Sequence, residues 1–200
     1  MPGNPATEFD YDDPRFDPLW QASIQLEMPI SFHILTTKAD SAGGHRGPPQ
    51  NASQSLLKSI QDLIGVFIWG RVFERFPQLK LVCAEADAGW VPHFMYRLDH
   101  FYRRHRFHSN LGDMAKLPSE RVFDNVYFTF QDDLVAMNSL DMLNPRRLLW
   151  SSDFPHSDST WPWSQQLLAY HTQNMSDDER RWILRDNTLE CFNLTRAWNG

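Results

Sequence analysis

Four short apolar runs, each followed by a segment of helical spacing, constrain this chain more than any other feature. They span positions 29–35, 79–84, 126–130 and 147–151. Each is too short for a buried helix, and each is mostly apolar. Such runs read as strands covered on both sides, which is the pattern of parallel βαβ units. A polar residue stands at or just after the carboxyl end of each run: His33, Glu85, Gln131 and Asp153. In α/β folds the βα loops converge at that edge, and ligands bind there.

The connecting segments carry their own signals. Asp12, Asp13 and Pro14 mark a helix start, and Phe16, Leu19, Trp20 and Ile24 recur at helical spacing up to Leu26. Positions 39–51 hold Gly43, Gly44, Gly47, Pro48 and Pro49 and read as a long irregular loop. Helical spacing returns over 53–76, where Pro77 ends it, and again over about 90–105 and 132–140. Positions 117–124 read as a polar connector with a turn of helix. Ser176 and Glu179 form a capping box for a late helix.

Composition removes several classes. At 200 residues the chain is expected to form one domain, 1–200. Its net charge of −6 argues against a nucleic-acid partner held by a broad basic surface. No apolar run approaches the roughly 20 residues that span a bilayer, so no membrane partner is expected. The opening, Met1 to Pro5, lacks the basic and apolar regions of a signal peptide. Cys83 and Cys191 are far apart and form no CxxC pair, so a reducing, cytoplasmic setting is the default. No GxSxG elbow occurs, which weakens a Ser-His-Asp hydrolase.

His, Glu and Asp form the ligand set of zinc and other first-row divalent metals. A catalytic metal takes about three protein ligands and an open position for water. A carboxylate beside that water can accept or return a proton. Asp153 suits both duties, in the polar segment Trp150-Ser151-Ser152-Asp153-Phe154-Pro155-His156-Ser157-Asp158-Ser159. The same segment also fits a strand followed by an Asx turn and a helix cap. His156 reads equally as a group near the metal, a substrate contact or a surface loop residue.

Several stretches together resemble a known family. They are Tyr11 to Trp20, Phe73 to Leu81, Ala88 to Pro92 with Arg97-Leu98-Asp99, and Leu149 to His156. The chain is similar to the carboxyl-terminal half of amidohydrolase-related proteins, the family that includes aminocarboxymuconate-semialdehyde decarboxylase. The resemblance implies strands five to eight of a distorted (β/α)8 TIM barrel with a mononuclear divalent metal, zinc first and manganese second. It implies a small-molecule substrate, a carboxylated ring or ring-cleavage product, that is hydrolysed or decarboxylated. On this match His33 takes the metal-binding place of strand five, and Asp153 the place of strand eight that binds metal and contacts the reactive water. Glu85 falls where many members carry a histidine acid/base, so it departs from the pattern while keeping the capacity to ligate metal or shuttle a proton. His156 is a candidate substrate contact. Arg97 matches an arginine that reaches a neighbouring active site in dimeric members, or is an ordinary helix-surface residue.

The family's strand-one pair, His-x-His or Glu-x-His, has no match before His33, and His45 in the Gly/Pro-rich loop is no substitute. A full barrel takes roughly 250 residues. The expectation is therefore an incomplete barrel, completed by an amino-terminal half or a homo-oligomer. The competing expectation is a non-catalytic half-barrel that serves as an interaction module.

Overall fold

The computed structural model describes residues 1, 5, 8–34 and 47–195. His45, Leu35 and most of the loop expected over 39–51 lie outside the described residues. Four parallel strands form one sheet in the order of the chain: β1 (Ile30–His33), β2 (Leu81–Ala84), β3 (Val126–Phe130) and β4 (Leu148–Trp150). The register pairs Phe32 with Cys83, Cys83 with Phe128, and Phe128 with Leu148. Leu81, Cys83, Phe128 and Leu148 on one face and Val82, Tyr127 and Leu149 on the other are all buried, as an apolar run covered on both faces requires.

The covering helices begin with α1 (Asp17–Gln25), preceded by a 3-10 turn over Pro14–Phe16 that Asp13 caps by accepting the Arg15 N–H. Then come α2 (Ala52–Trp69), α3 (Val72–Arg75), α4 (Val91–His105) and α5 (Pro118–Asn125). After β3 follow α6 (Leu134–Met137), α7 (Ser164–His171), α8 (Asp177–Arg181) and α9 (Asn187–Cys191), the last two joined by a π-helical turn. The Ser176–Glu179 capping box is present at the start of α8.

The single helix expected over 53–76 is two. The chain breaks at Gly70 and Arg71, and Arg71 takes a left-handed φ of 61°. A side chain at position 70 would sit 2.1 Å from the Asp12 Cβ, so only glycine lets the amino-terminal segment cross there. The polar connector is likewise a helix, α5, whose Asn125 clamps the chain leading into β2. Its Nδ2 donates to the carbonyls of Pro77 and Leu79, each at 2.9 Å. Asn187 does the same for β4, donating to Pro145 and Leu148 at 2.7 and 2.8 Å.

An aromatic cluster closes the β1 side. Tyr11 lies edge-on to Phe32 at 5.2 Å, Trp20 meets Phe67 at 5.2 Å, and Phe67 meets Phe73 at 5.5 Å. These rings are buried, and their contacts bind α1, α2 and α3 to the sheet. Among the described residues, β1 pairs only with β2 and β4 only with β3, so both outer strands are edges.

Candidate metal centre

His33 is the last residue of β1, Glu85 follows β2 directly, Gln131 follows β3, and Asp153 comes three residues after β4. All four therefore stand at the carboxyl edge of the sheet. Two of them leave their strands in a left-handed conformation, Glu85 at φ 57° and Asp153 at φ 56°, and Asp87 follows at φ 49°. For a residue with a Cβ this conformation costs about 1–2 kcal/mol. It persists only where the surroundings enforce it, and such residues gather at functional sites.

The turn bends the side chains toward one another. Glu85, Asp153 and His156 each offer a ligand atom, and the three atoms lie within 4.8 Å of one another. His156 Nδ1 lies 2.9 Å from Asp153 Oδ2. His33 stands outside that trio but touches it, donating through Nε2 to Glu85 Oε2. Glu85 thus lies between the histidine of β1 and the aspartate beyond β4. Arg97 is exposed on α4, without a hydrogen bond or ion pair to any described residue.

The donor set fits a divalent cation. Two carboxylates and an imidazole suit manganese or zinc better than a soft metal. The Asp153 Oδ2 is cut off from solvent, yet receives no hydrogen bond of acceptable geometry, although His156 is near. An anionic oxygen is costly to bury in that state unless a charge or donor meets it. A cation bound among Glu85, Asp153 and His156 would meet it.

A cleft of about 530 Å³ opens beside these residues, lined by Asp87, Gln131, Asp132, Ser157, Asp158 and Trp163 among others. Burial pushes the Asp87 carboxyl up to about 6, and the negative charge of Asp133 adds to the shift. The β2–α4 loop is held from β3 and the loop after it. Asp133 is buried; its Oδ2 accepts the Ala88 and Gly89 N–H groups at 2.6 and 2.7 Å, and its Oδ1 accepts that of Ala136 at 2.9 Å. Gly89 is required there, because a Cβ would lie 2.7 Å from both Asp133 Oδ1 and Val135 Cβ.

Asp133 and Thr129, whose hydroxyl accepts the Glu85 N–H at 2.7 Å, escaped the sequence reading. Thr129 looks like any β-branched strand residue, and no local pattern marks it. Asp133 carries a signal, an Asp just before the apolar Leu134-Val135-Ala136, which is an N-cap pattern.

The amidohydrolase family model matches residues 2–194. The chain belongs to the amidohydrolase family. Among solved structures, this amidohydrolase-family chain is similar to 5-carboxyvanillate decarboxylase LigW from Sphingomonas paucimobilis, at 21% identity and a TM-score of 0.79 over 95% of this chain and 57% of that one. It is similar to 2,6-dihydroxybenzoate decarboxylase from Rhizobium, at 17% identity and a TM-score of 0.72 over 94% and 58%. The 5-carboxyvanillate decarboxylase of Novosphingobium aromaticivorans, solved with manganese and a nitrobenzoic acid, matches at 18% identity and a TM-score of 0.71 over 92% and 53%. The chain spans a little over half the length of each. No described helix is long and apolar enough to cross a membrane.

Proposed function

We propose that this chain carries the carboxyl-terminal part of a metal-dependent carboxy-lyase site for a small carboxylated ring or ring-cleavage product, with hydrolysis of such a substrate as the alternative chemistry. One observation carries the reading: Glu85, Asp153 and His156 bring three ligand atoms from two βα loops within 4.8 Å of one another, and the Asp153 Oδ2 is buried without a hydrogen bond of acceptable geometry. The manganese in one similar structure and the aromatic carboxylates named for others support the metal and the substrate class.

Asp153 and Glu85 would hold the cation, with His156 or His33 as the imidazole donor. When bound, a divalent metal supplies Lewis acidity and lowers the pKa of its water toward about 7. Glu85, whose carboxylate meets His33 Nε2, would also move a proton. Asp153 orients what binds next to it. The consecutive strand order, with no reversal, fits a stretch of (β/α)8 barrel. The two edges, β1 and β4, are where strands of a complementary amino-terminal half would pair, bringing the remaining ligands. Exposed Arg97 is free to serve a neighbouring copy.

The test is calorimetric titration of chelator-stripped full chain with Mn²⁺ and Zn²⁺. Asp153→Ala and His33→Ala should each weaken binding about tenfold or more, as loss of a ligand or of its partner does. His108→Ala, on the exposed segment after α4, should leave it unchanged. Equal affinity in all four proteins would remove both residues from the site. Carbon dioxide release from hydroxybenzoates, with a complementary half added, tests the reaction itself.

A further inference from the structure

We propose that Thr129 is the positioning residue that sets the Glu85 carboxylate in the metal site, an inference that rests on the metal-site reading above. The backbone ladder shows why. Alternate residues of a strand turn their N–H and C=O groups to opposite neighbours. The carbonyls of Lys80 and Ala84 accept from Ile30 and Ile34 of the β1 segment, so these residues face β1 and Glu85 faces β3. With the register of Cys83 opposite Phe128 continued, the Glu85 N–H would reach the Thr129 carbonyl.

It does not. The Glu85 N–H instead donates to the Thr129 side-chain hydroxyl at 2.7 Å. The Thr129 carbonyl is left for the N–H of Asp87, which donates at 3.1 Å. One residue of β3 thus grips the turn on both sides of Ala86, with its side chain on the first donor and its main chain on the second. Glu85 and Asp87 are the two residues there in the left-handed region. Without the hydroxyl, the Glu85 N–H would fall back on the carbonyl and continue the strand. The carboxylate would then leave its place between His33 and Asp153. A hydroxyl at position 129 is what ends the ladder one residue early.

The experiment uses the full chain loaded with Co²⁺, whose visible absorption reports its ligands, together with Mn²⁺ titration. Thr129→Val keeps the branched shape and removes the hydroxyl; Thr129→Ser keeps the hydroxyl. The valine variant should lose about tenfold in metal affinity, the effect of losing a group that orients a ligand. Its Co²⁺ spectrum should match that of Glu85→Ala. The serine variant should restore both affinity and spectrum, which a purely structural role would not require. In the Glu85→Ala background, Thr129→Val should have no further effect on metal binding. Wild-type affinity and spectrum in the valine variant would overturn the inference, as would an added loss in the Glu85→Ala background. If valine prevents folding, the serine variant and Thr129→Ala decide by the same spectra. A wild-type chain that binds neither metal overturns the site reading itself, and that outcome is read from the wild type alone.

Discussion

Asp133→Ala gives the sharpest test of how the site is held. The substitution removes a buried carboxylate and strands three N–H groups, those of Ala88, Gly89 and Ala136. Hydrogen bonds to a charged acceptor are worth about 1.5–3 kcal/mol each, so the gross loss is at least about 4–5 kcal/mol. Part is offset, because a desolvated carboxylate and its repulsion of Asp87 go too. The net loss should be about 3 kcal/mol, a large share of the 5–15 kcal/mol typical of a folded domain. For a chain of this size each kcal/mol lowers the melting temperature by about 2–4 °C, so a fall of roughly 6–12 °C is expected. Asp133→Asn should fall between, since one amide oxygen cannot serve both the loop pair and the α6 cap. Guanidinium unfolding of chelator-treated protein gives the midpoint and slope. A midpoint shift worth less than about 0.5 kcal/mol at unchanged slope would refute the reasoning.

Asp87 supplies a pH dependence. Its folded pKa of about 6 lies above the ordinary carboxylate value, so folding takes up a proton between about pH 4 and 6. Its contribution to stability is therefore best below about pH 4 and is lost as pH rises through 6. Asp87→Asn should stabilise the metal-free protein near pH 7.5 and do little near pH 4; an equal gain at both, by denaturant midpoint, contradicts this. Asn125→Ala and Asn187→Ala each remove two hydrogen bonds at the start of a strand and should cost about 2 kcal/mol apiece. The two sites share no partner, so the double variant should show the sum; a clear shortfall in its midpoint shift would mean that the clamps act on one another.

The strands were legible because their signal is local. Short, mostly apolar runs report strands, and the observed β1 to β4 fall inside the expected spans. The break between α2 and α3 was not legible. Val72, Phe73 and Phe76 continue the helical spacing, and what interrupts it is the approach of Asp12 to Gly70, 58 residues away in sequence but not in space. The site divides the same way. That His33, Glu85 and Asp153 stand at strand ends follows from counting along the chain. That Glu85 and Asp153 turn toward His156 depends on left-handed backbone at Glu85 and Asp153, which no side-chain type announces at a non-glycine position. Thr129 and Asp133 hold the turn that follows β2 from β3 and the loop after it, so nothing near Glu85 in sequence points to them.

The placement of the polar groups at the strand tips separates two kinds of mutational tolerance. Phe32, Cys83 and Phe128 are closed to solvent one to two residues below the strand tips, and they carry the packing. His33, Glu85 and Asp153 carry little of it, since each is partly open to solvent. Exchanges among carboxylate, amide and imidazole at the tips can therefore alter reactivity while the layer beneath stays as it is. A sheet of this kind lets chemistry vary one strand end at a time.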